Sequence, residues 1–259
     1  MKKKVFNPDL KESFKLSRSK IDLFLQCPRC FYHDRKLGIS HPSGAPFTLN
    51  NLVDTLLKKS FDAFRLKKSS HPFQIENGIN AIPFDHSNVE DWRNNRKGIR
   101  YVHEKTNFEI YGAIDDVWVK SNGELIIVDY KAKASKDDPN TFLTPKTKKN
   151  GEIVKTERYK ISYKKQIEVY QWLFRKNGFK VSDTAYFVFA NAQKDRDSFD
   201  DKLDFEKILI PYVGDTSWVE PTLFEILDCL SSEEIPEFDD GCEFCKYHSA
   251  IMNHLQIEK

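Results

Sequence analysis

The sequence predicts an α/β fold with a mixed central β-sheet and helices on both faces, and three observations carry that reading. Amphipathic segments with helical spacing precede and follow short apolar runs. The turn Ser121-Asn122-Gly123 sits between two such runs, a strong hairpin signal. A nearly all-apolar run at residues 185–189 follows a helical segment, as expected of a strand buried on both faces.

In order, residues 1–16 read as an irregular, flexible arm. Ser19, with Asp22 three residues on, reads as the cap of a short helix whose apolar face is Ile21, Phe24 and Leu25. That helix ends at Cys27-Pro28, and residues 41–46 are turn-rich. A second helix is predicted over 48–65, where Leu49, Leu52, Val53, Leu56, Leu57, Phe61 and Phe64 recur at helical spacing. A third is predicted over 88–103, charged on one face through Arg93, Arg96, Lys97 and Arg100. Strand character runs over 108–119, turns at Gly123 and resumes at Leu125, Ile126, Ile127 and Val128. Residues 134–160 form a long basic loop, a length that in a compact domain marks function or disorder. A helix over 162–177 is closed by Gly178 as a left-handed cap. After the strand at 185–189, residues 203–212 alternate as an edge strand, and a helix over 217–230 precedes a short cysteine-bearing tail. No repeat or linker interrupts the 259 residues, so one domain is expected.

Hydrophobic residues make up 39% of the chain, with 20 Phe and 10 Tyr, enough for a sizeable core. The basic start is followed by no apolar run, and nothing approaches membrane-spanning length, so a soluble, cytoplasmic protein with no membrane partner is expected. Net charge is only +2. The charge is unevenly spread, however. Lys131, Lys133, Lys136, Lys146, Lys148, Lys149, Lys155, Arg158, Lys160, Lys164 and Lys165 form a stripe that can track a phosphate backbone, or else a solvated lysine-rich loop.

The chemistry concentrates at Asp115 and at Asp129-Tyr130-Lys131. Residues two apart in a strand share a face, so Asp129 and Lys131 project together from the end of an apolar strand. The hairpin brings Asp115 close to Asp129. Two carboxylates on neighbouring strands offer hard oxygen to Mg²⁺ or Mn²⁺, with the Tyr130 carbonyl as a further donor. A lysine beside such a site stabilises charge on a reacting phosphate. The bland alternative is a buried Asp–Lys pair. Asp116 faces away from Asp115, as support from behind or as a surface charge.

The pattern D-x(13)-D-x-K resembles the PD-(D/E)xK nuclease superfamily, and most closely its RecB-like branch, which includes the exonucleases of CRISPR spacer acquisition. Residues 16–32 resemble that branch's S-x-S-x-[IL]-x-x-[FY]-x-x-C-P-x-x-[FY] signature. Gly112-Ala113-Ile114-Asp115 matches its G-x-[IV]-D strand, and Gln166 with Tyr170 its Q-x-x-x-Y helix. The resemblance implies a restriction-endonuclease-like core. It implies Asp115 and Asp129 as metal ligands, Lys131 as the catalytic lysine and Gln166 positioning substrate or lysine. Tyr170, one turn on, either contacts DNA or packs. Lys133 and Lys164, from the basic stripe, are candidate substrate contacts. The branch usually carries a metal-binding histidine on its early helix. Here Asp54 stands in that helix, either as a third Mg²⁺ or Mn²⁺ ligand or as an exposed charge.

Four of five cysteines form two C-x-x-C pairs, Cys27 with Cys30 and Cys242 with Cys245, near opposite ends of the chain. Four thiolates suit Zn²⁺ or an iron–sulfur cluster, and would join the N- and C-terminal segments. The RecB-like branch often staples its termini with a [4Fe–4S] cluster from one N-terminal and three C-terminal cysteines. This chain has two and two, with Ile251 near the place of the missing one, a spacing that favours zinc. His248 and His254 are spare ligand candidates, and Cys229 is expected in the core.

The function expected is divalent-metal-dependent hydrolysis of DNA, on single strands or ends, with other nucleic-acid-processing proteins as further partners. Two alternatives stand beside it: an inactive nucleic-acid-binding module on the same fold, and a structural metal protein acting as an adaptor.

Overall fold

The computed structural model describes residues 5–9 and 11–257. The elements, in chain order, are β1 (Phe14–Ser17), α1 (Arg18–Gln26), α2 (Pro28–Arg35), α3 (Thr48–Lys67), α4 (Pro72–Glu76), β2 (Ile82–Pro83), α5 (Val89–Arg93), β3 (Ile99–His103), β4 (Phe108–Gly112), β5 (Asp116–Val119), β6 (Leu125–Lys133), α6 (Tyr159–Lys176), β7 (Thr184–Ala192), β8 (Phe205–Val213), α7 (Val219–Ser231) and α8 (Glu243–Ile257). They fall into two compact units: residues 46–101 with 111–216, and the described residues of 1–45, 102–110 and 217–259. The chain passes between the units inside β3 and again inside β4.

The larger unit is built on a five-stranded sheet in the order β2-β5-β6-β7-β8. β5 and β6 form the expected antiparallel hairpin, with Val119 opposite Leu125. Gly123 stands in its turn at φ 78°. β6 and β7 are parallel and β7 and β8 antiparallel, so the sheet is mixed and β8 is an edge. A parallel pair needs a crossover, which the segment containing α6 supplies. Alternation along β6 divides its side chains between two layers. Ile126, Val128 and Tyr130 pack with Trp118, Val188, Ala190 and with Leu57 and Phe61 of α3. Lys131 faces the other way, to Tyr163 and Gln166 of α6. Helices on both faces over a mixed sheet are the architecture the sequence predicted.

The smaller unit packs α1, α2, α7 and α8 with β1, which extends the three-stranded sheet β1-β4-β3. Phe14 and Leu16 of β1 are buried, so the last residues of the stretch read as an arm are strand; residues 1–4 and 10 lie outside those described. Pro28 ends α1 and opens α2 as its first helical residue, a helix the sequence reading did not separate. The cysteine-bearing tail is the 15-residue helix α8.

Three expectations need correction. The helix predicted over 88–103 stops at Arg93. The Asn94 side chain accepts hydrogen bonds from the Arg96 amide at 2.8 Å and from the Lys97 amide at 3.3 Å. Those bonds turn the chain. Gly98 then adopts φ 62°. A Cβ there would come 2.5 Å from the Gly112 carbonyl oxygen, a close approach that only glycine permits. β3 follows directly. The strand predicted over 108–119 breaks at residues 113–115 into β4 and β5, which belong to different sheets. On α3, Leu57 and Phe61 are buried, whereas Leu49, Leu52 and Leu56 are exposed despite their helical spacing.

Residues 134–160 are anchored from within. Phe142 is buried against Phe189, and Lys160 is almost fully buried (1% exposed), donating to the Thr141 and Thr144 carbonyls at 3.0 and 3.1 Å. Lys160 is therefore a structural post and not part of a solvated basic stripe.

Candidate active site and metal centre

The break between β4 and β5 opens a polar cavity of about 380 Å³ in the larger unit. Asp54 and Lys58 of α3, Asp115 from the break, Lys131 of β6, and Tyr163 and Gln166 of α6 line it. The pairing of Asp116 with Val128 puts Asp115 level with Asp129 in the ladder. The Tyr130 amide donates to Asp115 Oδ2 at 2.9 Å, fixing that carboxylate beside β6. Lys58 Nζ donates to Asp54 at 2.7 Å and to Asp115 Oδ1 at 3.2 Å, so one ammonium bridges two carboxylates. Lys131 Nζ is ion-paired with the fully buried Asp129, donates to Gln166 Oε1 at 3.3 Å, and lies 4.5 Å from the Tyr163 ring centre. Gln166 Nε2 in turn donates to the Tyr170 hydroxyl at 3.2 Å.

Electrostatics explain why these lysines are where they are. Burial and the neighbouring Asp115 charge push the Asp54 carboxyl above its usual range. Burial pulls Lys58 down, but Asp115 and Asp54 more than offset this and hold it above its ordinary value. Asp54 Oδ1 is buried with no hydrogen-bond partner among the described residues. A site of crowded hard oxygens with an ammonium between them is one a divalent cation suits.

Beneath the cavity lies a buried ionic hub. Asp116 is fully buried and meets Arg65, Arg93 at 3.0 Å, the Tyr130 hydroxyl at 2.7 Å and the Val117 amide at 2.8 Å. Asp62 binds both arginines, at 2.8–2.9 Å from Arg93 and 2.9 Å from Arg65. Arg93 Nε also donates to the Asp115 carbonyl at 3.0 Å, tying the hub to the backbone that carries Asp115. Burial and the Asp116 charge together push the Tyr130 hydroxyl well above the usual tyrosine range, so it stays a donor. Of the two roles open to Asp116, the buried support from behind is the one observed.

In the smaller unit, Cys27, Cys30, Cys242 and Cys245 gather with all four sulfurs within 4.8 Å of one another. They sit in an apolar shell with Leu23 and Phe238. Burial raises the thiols of Cys30 and Cys245, the latter to about 12. Burial also raises Cys27, but backbone amides of Cys30 and Asp239 donate to its sulfur and bring it below its ordinary value.

A family model described as the PD-(D/E)XK nuclease superfamily matches residues 15–250, nearly the whole chain. The chain belongs to this superfamily. Its members are generally hydrolytic nucleases that use divalent metal ions, so membership implies a nucleic-acid substrate and a metal-dependent reaction. No curated protein matches the sequence. A solved structure titled "Crystal structure of SSO0001" is similar at 15% identity, covering 88% of this chain and 81% of that one, with a TM-score of 0.34. A likeness at that score adds nothing to the reading of the site. Among the described residues no helix is long and apolar enough to cross a membrane.

Within this superfamily chain, the cavity gathers Asp54, Asp115, Lys131 and Gln166, with Asp129 buried behind Lys131. Among the described residues the three carboxylates do not converge as tightly as the cysteines: Lys58 bridges Asp54 and Asp115, and Lys131 pairs with Asp129. Tyr170 is buried (3% exposed) and its hydroxyl accepts from Gln166 Nε2. Lys133 and Lys164 do not line the cavity: Lys133 lies over the Phe142 ring at 3.7 Å and Lys164 over Tyr212 at 5.7 Å. Sequence reasoning missed Lys58, Tyr163 and Arg93. Lys58 lies one turn from Asp54 and Tyr163 one turn from Gln166, so helical spacing from residues already singled out would have found both. Nothing local signals that Arg93 reaches Asp116.

Proposed function

We propose that the protein is a divalent-metal-dependent DNA nuclease of the RecB-like branch, acting in the cytoplasm on single strands or ends, with other nucleic-acid-processing proteins as partners. The observation that carries this reading is the Lys131 ammonium, held between Asp129 and Gln166 in the cavity that Asp54 and Asp115 also line. In this reading Asp54, Asp115 and Asp129 hold Mg²⁺ or Mn²⁺, which when bound supplies a Lewis acid for the scissile phosphate. Lys131 directs its charge at the phosphate oxygens as negative charge builds on them. Gln166 fixes the lysine's direction, and Tyr170 fixes Gln166. The Tyr130 amide and Arg93 hold Asp115 in place, so the carboxylate needs little reorganisation when it binds.

The test is cleavage of labelled single-stranded DNA by purified protein with Mg²⁺ or Mn²⁺. Wild-type protein should cut, and Asp129→Ala should not while keeping its circular dichroism spectrum. Full-rate cutting by Asp129→Ala would remove the assignment. One observation favours a second reading, an inactive binding module: Lys58 already neutralises Asp54 and Asp115. That reading is the better one if wild-type protein binds DNA but cuts with none of Mg²⁺, Mn²⁺ and Co²⁺.

A further inference from the structure

The two C-x-x-C pairs are built alike. Cys27 is the N-cap of α2, in extended conformation at φ −162°, ψ 104°, with Pro28 opening the helix and Cys30 in its first turn. Cys242 directly precedes α8, and Cys245 lies in the first turn of that helix. Each pair therefore presents two sulfurs at a helix start, where the helix dipole favours negative charge. Leu23, Phe238 and the cysteines themselves keep the surroundings apolar.

Sulfur spacing tells the possible occupants apart. Cys30 Sγ lies 3.4 Å from Cys242 Sγ and 3.4 Å from Cys245 Sγ, and Cys27 Sγ lies 3.7 Å from Cys245 Sγ. All four fall within 4.8 Å of one another. One tetrahedral zinc ion with Zn–S bonds of about 2.3 Å sets its sulfurs about 3.8 Å apart along each edge. A [4Fe–4S] cluster binds each cysteine to a different iron at the corners of a cube, which spreads the four sulfurs far wider. A [2Fe–2S] cluster keeps close sulfurs only within each iron's pair and separates the pairs. Here distances of 3.4 Å join Cys30, from one pair, to both cysteines of the other.

We propose that Cys27, Cys30, Cys242 and Cys245 form a closed structural site for a single zinc ion, and not the iron–sulfur staple that the RecB-like resemblance implies. The ion cross-links the start of α2 to the start of α8 inside the smaller unit. Four protein ligands leave no open position, so the site takes no part in hydrolysis.

The test uses the full chain produced in iron-supplemented medium and purified without oxygen. Elemental analysis should find one zinc per chain, no iron and no acid-labile sulfide in colourless protein. Incubation with ferrous iron and sulfide should leave it colourless. Cobalt exchanged into the site should give the intense visible bands of a tetrahedral tetrathiolate. Cys229→Ser should keep the full zinc content, because Cys229 lies outside the quartet. Cys242→Ser should lose at least tenfold in zinc affinity, measured by competition with a chromophoric chelator. A brown protein with about four irons and four sulfides per chain would overturn the proposal. So would a single iron without sulfide, metal-free protein with four reduced thiols, or loss of zinc in Cys229→Ser.

Discussion

The acid–lysine cavity of the larger unit and the four-thiol centre of the smaller one both collect donors for a cation, in opposite ways. The cavity uses hard oxygens, is open to solvent, and covers its carboxylates with ammonium groups, Lys58 bridging Asp54 and Asp115 and Lys131 pairing with Asp129. The centre uses soft sulfurs in an apolar shell, already at the spacing one ion requires. In the first, on the proposed function, the lysines stand in for the cation and yield or rearrange when an ion binds. In the second, among the described residues, the four sulfurs already lie within 4.8 Å of one another. The difference teaches that preorganisation suits permanence, whereas a site that turns over keeps its donors neutralised while it waits.

That contrast can be broken or sharpened, beginning with the largest effect. Asp116→Ala leaves Arg65 and Arg93 without their shared buried partner and should cost about 3–5 kcal/mol in urea denaturation. A loss below about 1 kcal/mol would mean that the hub does not hold the cavity's floor. Lys131→Met should lower the Mn²⁺-dependent cleavage rate by about 100- to 1000-fold with the circular dichroism spectrum kept at the assay temperature, and should lower the thermal midpoint because buried Asp129 loses its ammonium partner. Dialysis against EDTA should abolish cleavage, with recovery on adding Mn²⁺, while zinc stays with the chain. Co-release of zinc with activity would erase the distinction between the two sites. Lys58→Met should destabilise the metal-free protein, because Asp54 and Asp115 then repel each other, and tighten Mn²⁺ binding roughly tenfold in calorimetry.

The smallest effect concerns pH. His71 is buried, accepts from the Phe73 amide at Nδ1 (3.0 Å) and pairs with Ser60 Oγ (2.9 Å). Burial, with Lys207 assisting, holds its pKa below the ordinary 6.5. A base whose folded pKa is depressed contributes stability that is complete above the unfolded value and lost as pH falls through the folded one. Stability should therefore decline below about pH 6.5, and His71→Asn should flatten that slope in thermal scans.

Much of the cavity was legible without coordinates. Two aspartates and a lysine at the end of an apolar strand, with a Gly turn between the strands, specify a hairpin and its register, because both depend on neighbours in the chain. The paired cysteines were equally plain, since two identical short motifs announce a shared ligand wherever the fold brings them together.

Other features waited for tertiary structure. The helix expected over 88–103 lost to an Asn94 turn and to the close approach of Gly98 to Gly112, a contact between residues distant in sequence. Leu49, Leu52 and Leu56 obey helical spacing yet face outward, because a pattern gives a period but not the surface it packs against. Lys160, read as one charge among many in a basic stripe, is buried to hold the loop. The sequence determined which donors the protein has and which strand carries them. Only the fold decided what stands between those donors: lysines among the carboxylates, and nothing but short distances among the thiols. Those separations are set by helices and strands that meet across long stretches of chain, where local propensity has no reach.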